Sequence, residues 1–89
     1  MLELGKVVAT KGAIGAFDDS GENPVTYITR HAKGDWGDLQ TADKEANEYA
    51  VANGLRVLSV YFLPPTNVKI YIITEWDRSV TTVLLPDEY

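Results

Sequence analysis

The apolar positions of this chain change spacing near its middle, and the change divides it into a helical half and a strand half. Val25, Ile28 and Ala32 recur at i, i+3 and i+7, the spacing of one helix face turned to a core, with Tyr27, Arg30 and His31 beside that stripe. Asn23 is a suitable cap, because its side chain accepts from free first-turn amides, and Pro24 at the first helical position sacrifices no hydrogen bond. Gly34 fits the left-handed position that ends a helix, with Arg30, His31 and Lys33 complementing the negative end of the helix dipole.

The same rules predict a longer helix from Thr41 to Asn53, with Thr41 as cap, Asp43 and Glu45 in the first turn and Gly54 as terminator. Its apolar face would be Ala42, Ala46, Tyr49 and Ala50, with Asn47 between the two faces. A short helix opens at Thr10 and carries Ala13, Ile14, Ala16 and Phe17 before Asp18–Gly21 ends it. Gly12 and Gly15 each weaken it by up to about 1 kcal/mol relative to alanine. Ahead of it Lys6–Thr10 is β-branched and bounded by glycines, a strand or an extended arm.

After Gly54 the period drops to two. Leu55–Leu63, Val68–Thr74 and Val80–Leu85 are rich in Val, Ile, Leu, Tyr and Thr, and turn-forming clusters separate them. Leu58, Val60 and Phe62 alternate with Val57, Ser59 and Tyr61, and Ile70 and Ile72 alternate with Lys69, Tyr71 and Ile73. One face is expected to pack on the helices while the other, with Ser59, Tyr61, Lys69 and Tyr71, is semi-polar. The expected architecture is α+β: a single domain over residues 1–89, two layers, N-terminal helices on a C-terminal antiparallel meander of three to four strands.

Composition narrows the partners more than the fold. Thirteen acidic against eight basic residues give a net charge of −5, which opposes non-specific attraction to DNA phosphates and to anionic membranes. No stretch reaches the ~18 apolar residues of a membrane helix, and Met1–Gly5 has no signal-peptide pattern. The chain has no cysteine, so thiolate metal sites and cysteine nucleophiles are excluded, and a reducing compartment, the cytoplasm, is expected. A monomer or small homo-oligomer without a cofactor is the expectation for a chain of this size.

Candidate chemistry gathers in Arg30-His31-Ala32-Lys33-Gly34-Asp35-Trp36-Gly37-Asp38-Leu39, which holds the only histidine. An imidazole can titrate near neutrality, which makes His31 the one obvious general acid or base, although the commoner role of a histidine at this position is to end a helix and bond a carbonyl. Arg30 and Arg78 would clamp a phosphate or carboxylate; equally, Arg78 would pair with Glu75 or Asp35 and hold a turn. Asp35 and Asp38 read as ligands or as turn formers, and Trp36 as a binding surface or a core plug. Asn47, Tyr61, Thr74 and Asp77 complete the binding candidates. A metal site from His31, Asp35 and Asp38 lacks the second histidine or the cysteine of a usual zinc set, so no metal is expected. The GxxxxGK[ST], GxGxxG, GxSxG, HExxH and EF-hand patterns are all absent.

Leu4–Thr10, the RHxxGDWGDL run of Arg30–Leu39, Asn47, Gly54–Tyr61 and IITEWDRSVTTVLLPDEY over Ile72–Tyr89 together resemble a family of small bacterial proteins labelled plasmid-related and found on integrative or conjugative elements. The resemblance covers nearly the whole chain and implies a mobile-element setting, but no particular chemistry. Trp76 stands where that family would carry a small residue. A looser architectural likeness, helices before a meander sheet, is to the barnase and RelE-like ribonucleases, which cut RNA without a metal. It implies His31 as acid or base, Arg30 and Arg78 as phosphate clamps, and Ser59 and Thr82 as positioning donors.

Two functions therefore compete. One is a binding or regulatory module that contacts a protein or RNA partner through the Arg30–Asp38 cluster; the other is a metal-independent ribonuclease. A third reading, an acidic DNA mimic, is weakened by sparse charge and by basic residues within the proposed site.

Overall fold

The computed structural model describes residues 1–89. The elements in order are β1 (Lys6–Ala9), α1 (Lys11–Ser20), α2 (Pro24–Ala32), α3 (Thr41–Asn53), β2 (Val57–Leu63), β3 (Val68–Thr74), β4 (Val80–Leu84) and a 3-10 turn at Pro86–Glu88. The fold class is α+β, as the change of period predicts. The sheet order is β1-β4-β3-β2. Strands β2, β3 and β4 form the expected antiparallel meander, while β1 joins its far edge parallel to β4, so the fourth strand is not part of the meander.

Local chemistry explains the helix boundaries. Thr10 Oγ1 accepts from the Ala13 amide at 3.1 Å and Asn23 Oδ1 from the Val25 amide at 3.0 Å, so both caps form. Gly21 and Gly54 close α1 and α3 in the left-handed conformation. The α3 cap is Gln40, not Thr41, and its side chain makes no capping bond.

Two helix faces depart from the sequence pattern. Val25 is 62 % exposed, and α2 instead buries Tyr27, His31 and Ala32. The i, i+4 pair Tyr27 and His31 defines the inward face, because its rings and hydrogen bonds fill space that a valine would leave open. In α3 the inward pair is Asn47 and Ala50, while Ala42 and Ala46 face solvent and Tyr49 is 63 % exposed.

The helix-facing side of the sheet is built from Val57, Ser59, Tyr61 and Leu63 of β2, Ile70, Ile72 and Thr74 of β3, and Thr81 and Val83 of β4. Two apolar clusters lie against it. The larger joins Ala13, Ala16, Phe17 and Tyr27 to Tyr61, Leu63, Ile70, Ile72 and Val83; the smaller joins Leu2, Trp36, Ala50 and Val57. Between them runs a band of buried polar residues: His31, Ser59, Thr74 and Thr81. Ser59 and Tyr61 thus belong to the helix face, whereas Lys69 and Tyr71 are on the outer one. The pairing Ser59↔Ile72 and Tyr61↔Ile70 separates the expected semi-polar set.

Candidate functional site

The Arg30–Asp38 stretch is held at both ends by backbone bonds. Asp35 N donates to Arg30 O at 2.9 Å and Gly34 N to His31 O at 3.1 Å, which ties the end of α2 into a tight reversal. Beyond it Val60 N donates to Trp36 O at 3.1 Å and Asp38 N to Val60 O at 2.7 Å, so this segment pairs with the free edge of β2 through Gly37. A Cβ on Gly37 would lie 2.0 Å from Val60 O, and its φ of +78 is left-handed, so only glycine permits this approach.

Arg30 and Asp35 form an ion pair at the surface, with Nε to Oδ2 at 2.7 Å, and the guanidinium lies 4.7 Å from the Tyr61 ring centroid and 5.7 Å from that of Tyr27. The Arg30 bond holds the Asp35 carboxyl below its ordinary value, and Gly37 N adds a weaker bond to Oδ1 at 3.2 Å. Tyr61 donates its hydroxyl to Asp35 O, and burial pushes its pKa up to about 12. These contacts rigidify the reversal. As an exposed pair, Arg30–Asp35 contributes no more than about 1 kcal/mol.

His31 is 0 % exposed. Its Nδ1 lies 2.5 Å from Ser59 Oγ and its Nε2 2.8 Å from Thr74 Oγ1; Thr74 Oγ1 lies 2.7 Å from Thr81 Oγ1, which donates to Leu4 O at 2.8 Å. Each hydroxyl has one proton, so the last bond fixes all the others. Thr81 gives its proton to Leu4 O and must accept from Thr74. Thr74 then accepts from Nε2–H, and the bare Nδ1 accepts from Ser59. The imidazole is neutral, with burial lowering its pKa to about 4. A sealed, neutral ring with both nitrogens engaged reaches no substrate, which corrects the expectation of His31 as acid or base and of Ser59 as a donor at a reaction centre.

The other sequence candidates separate. Arg78 donates to Leu55 O at 2.6 Å, Ala50 O at 2.9 Å and Glu75 O at 3.1 Å, so it closes the end of α3 and is not a phosphate clamp. Thr82 points to the outer face, one residue out of step with Thr81, and does not meet His31. Asp77 accepts from Ser79 N at 3.1 Å and Ser79 Oγ at 2.6 Å within its own turn. Buried Asn47 donates to Leu58 O at 2.7 Å and accepts from Leu58 N at 3.2 Å, a structural role. Thr74 belongs to the interior relay, and Asp38 is exposed beside the β2 edge. No three His, Asp or Glu side chains come together as a metal-ligand set.

What the stretch does present to solvent is a hollow of about 250 Å³. Buried Leu2, Ala32 and Trp36 form its floor, and the more exposed Met1, Lys33, Gly34, Glu48 and Val51 form its rim. Trp36 packs edge-on against His31, ring centroids 5.8 Å apart, and its Nε1 donates to Glu48 Oε2 at 2.6 Å. The relay behind Trp36 therefore fixes the floor from inside and Glu48 fixes it from the rim. Sequence reasoning named Trp36 and, in the same stretch, Lys33, but missed Glu48 and Val51 as their neighbours; the helical spacing of Glu48 and Val51, i and i+3, is the one signal that links those two. The register Thr74↔Thr81 brings Thr81 into the relay.

No family model, no curated protein and no solved structure matches the chain.

Proposed function

We propose that this chain is a small binding module, and that its recognition surface is the hollow formed where the Arg30–Asp38 stretch meets α3. The observation that carries this reading is the hollow over Trp36, with an apolar floor and two opposite charges, Lys33 and Glu48, on its rim. A volume of about 250 Å³ lies under the ~300–1,000 Å³ of sites that enclose a small molecule. It suits instead one apolar anchor side chain of a partner protein, with the rim charges setting orientation. The likeness to plasmid-related bacterial proteins fits a regulatory module working on a partner in the cytoplasm. The ribonuclease reading has no comparable support, since the imidazole is sealed in the interior and the Arg78 guanidinium is bonded to three backbone carbonyls, which leaves Arg30 as the one cation of that set at the surface.

The test selects binding peptides from a displayed random library and maps them by amide and indole shifts. Peptides with an aromatic or aliphatic anchor should perturb Lys33, Gly34, Val51 and the Trp36 indole. Val51 is 41 % exposed, and Val51→Glu should weaken binding at least about tenfold without lowering stability. Failure to select binders, or binders indifferent to Val51→Glu, overturns the reading. RNA incubated with the protein and a chelator should stay intact; cleavage would reinstate the enzyme.

A further inference from the structure

The two edges of the sheet are treated differently. On β2 the outward backbone groups of Leu58 are taken by Asn47 and those of Val60 by Trp36 and Asp38. On β1 no such cover exists. Lys6 N donates to Ser79 O and Thr10 N to Val83 O, both at 3.0 Å, toward β4. By the two-residue alternation of a strand, Val7 and Ala9 aim their backbone groups away from the sheet, at solvent. The residues on this edge are small and apolar, and Lys6 is the one charge within the strand to discourage pairing.

We propose that β1 is a docking edge for a second copy of this chain, pairing antiparallel with its counterpart about a two-fold axis at Val8. The register follows from which groups are free. Val7 and Ala9 of one copy would exchange backbone bonds with Ala9 and Val7 of the other, joining two four-stranded sheets into one of eight. Val8 then meets Val8 across the axis. Lys6 lies opposite Thr10 of the second copy, and Thr10 Oγ1 donates to Glu88 Oε1 at 2.6 Å. Each ammonium is therefore brought beside a carboxylate already fixed in place, twice by symmetry. No other register of the free groups aligns both the apolar pairs and these charges. A four-residue strand offers far fewer contacts than the ~20–30 residues a side of a standard interface, so the dimer is weak and concentration-dependent. This surface is separate from the hollow, and neither depends on the other.

Sedimentation equilibrium over a wide concentration range tests the assignment. Wild type should shift from monomer to dimer as concentration rises. Val7→Pro removes an outward N–H and leaves the bonds to β4 intact, so it should raise the dissociation constant at least about tenfold while the circular dichroism spectrum is kept. Lys6→Glu should do the same, and Lys6→Glu combined with Glu88→Lys should restore dimerisation. A monomer at every concentration overturns the proposal, as does a dimer indifferent to Val7→Pro and Lys6→Glu. If Val7→Pro does not fold, the charge exchange decides alone, and a folded double variant that stays monomeric overturns the pairing.

Discussion

His31 Nδ1 and Ser59 Oγ meet at 2.5 Å across the boundary between helix layer and sheet, and the proton between them belongs to the serine. Because every other proton in the relay is already assigned, a second proton on the imidazole would turn Ser59 from donor to acceptor inside a sealed band.

Acid should therefore unfold this protein through His31. The imidazole pKa falls from 6.5 to about 4 on folding, because burial disfavours its charged form. The unfolded chain binds the proton first, so the contribution is fully present above pH 6.5 and is lost as pH falls toward 4. Integrated over that window the loss is on the order of 3 kcal/mol. Urea unfolding at a series of pH values measures it. His31→Gln should flatten this limb while lowering stability at neutral pH, and an unchanged slope would place the titration elsewhere.

Asn47 acts as a strand partner supplied by a helix. Its amide group takes both backbone groups of Leu58, closing part of the β2 edge. Asn47→Leu leaves that N–H and C=O unpaired in a part-buried setting and should cost about 1–3 kcal/mol in denaturant unfolding. It should also raise amide exchange at Leu58 before the rest of β2. A loss confined to Asn47 with Leu58 still protected would mean that water replaces the side chain.

The helices, the meander and their order were legible because caps, glycine terminators and the change of period are local signals. What was not legible depended on register. Ser59 and Lys69 look alike as polar residues in apolar strands, and only the pairing Ser59↔Ile72 sends Ser59 inward and Lys69 outward. Likewise Val25 is more apolar than His31, yet three hydroxyls distant in sequence make the imidazole the better occupant of the interior. Arg78 stayed open between a phosphate clamp and a turn-holding pair because the carbonyls it serves, Ala50 and Leu55, are contributed by backbone and leave no mark in a sequence.

Gly37 and Gly54 both have positive φ, +78 and +66, but different surroundings. Nothing lies within 4 Å of a Cβ on Gly54, so Gly54→Ala should cost only the backbone strain, about 1–2 kcal/mol. Gly37→Ala adds a collision with Val60 O and the Tyr61 ring, so the 36–38 segment must leave the β2 edge. Its loss should exceed that of Gly54→Ala and should expose Trp36, seen as a red shift of emission in the folded state. Equal losses would mean that the segment yields without cost.

Arg78 combines a left-handed backbone, φ +60, with a guanidinium bonded to the carbonyls of Ala50, Leu55 and Glu75. Two substitutions separate these features. Arg78→Ala keeps the strained backbone and removes the bonds, so it should destabilise by about 1–3 kcal/mol and raise exchange at the amides of Gly54 and Leu55, which share the Ala50 carbonyl. Arg78→Gly removes the same bonds but relieves the strain, so it should recover about 1 kcal/mol of that loss. If the two variants unfold together, the strain is absorbed by the turn. If neither is less stable than wild type, the guanidinium is free to serve a ligand after all, and the ribonuclease reading regains its second cation.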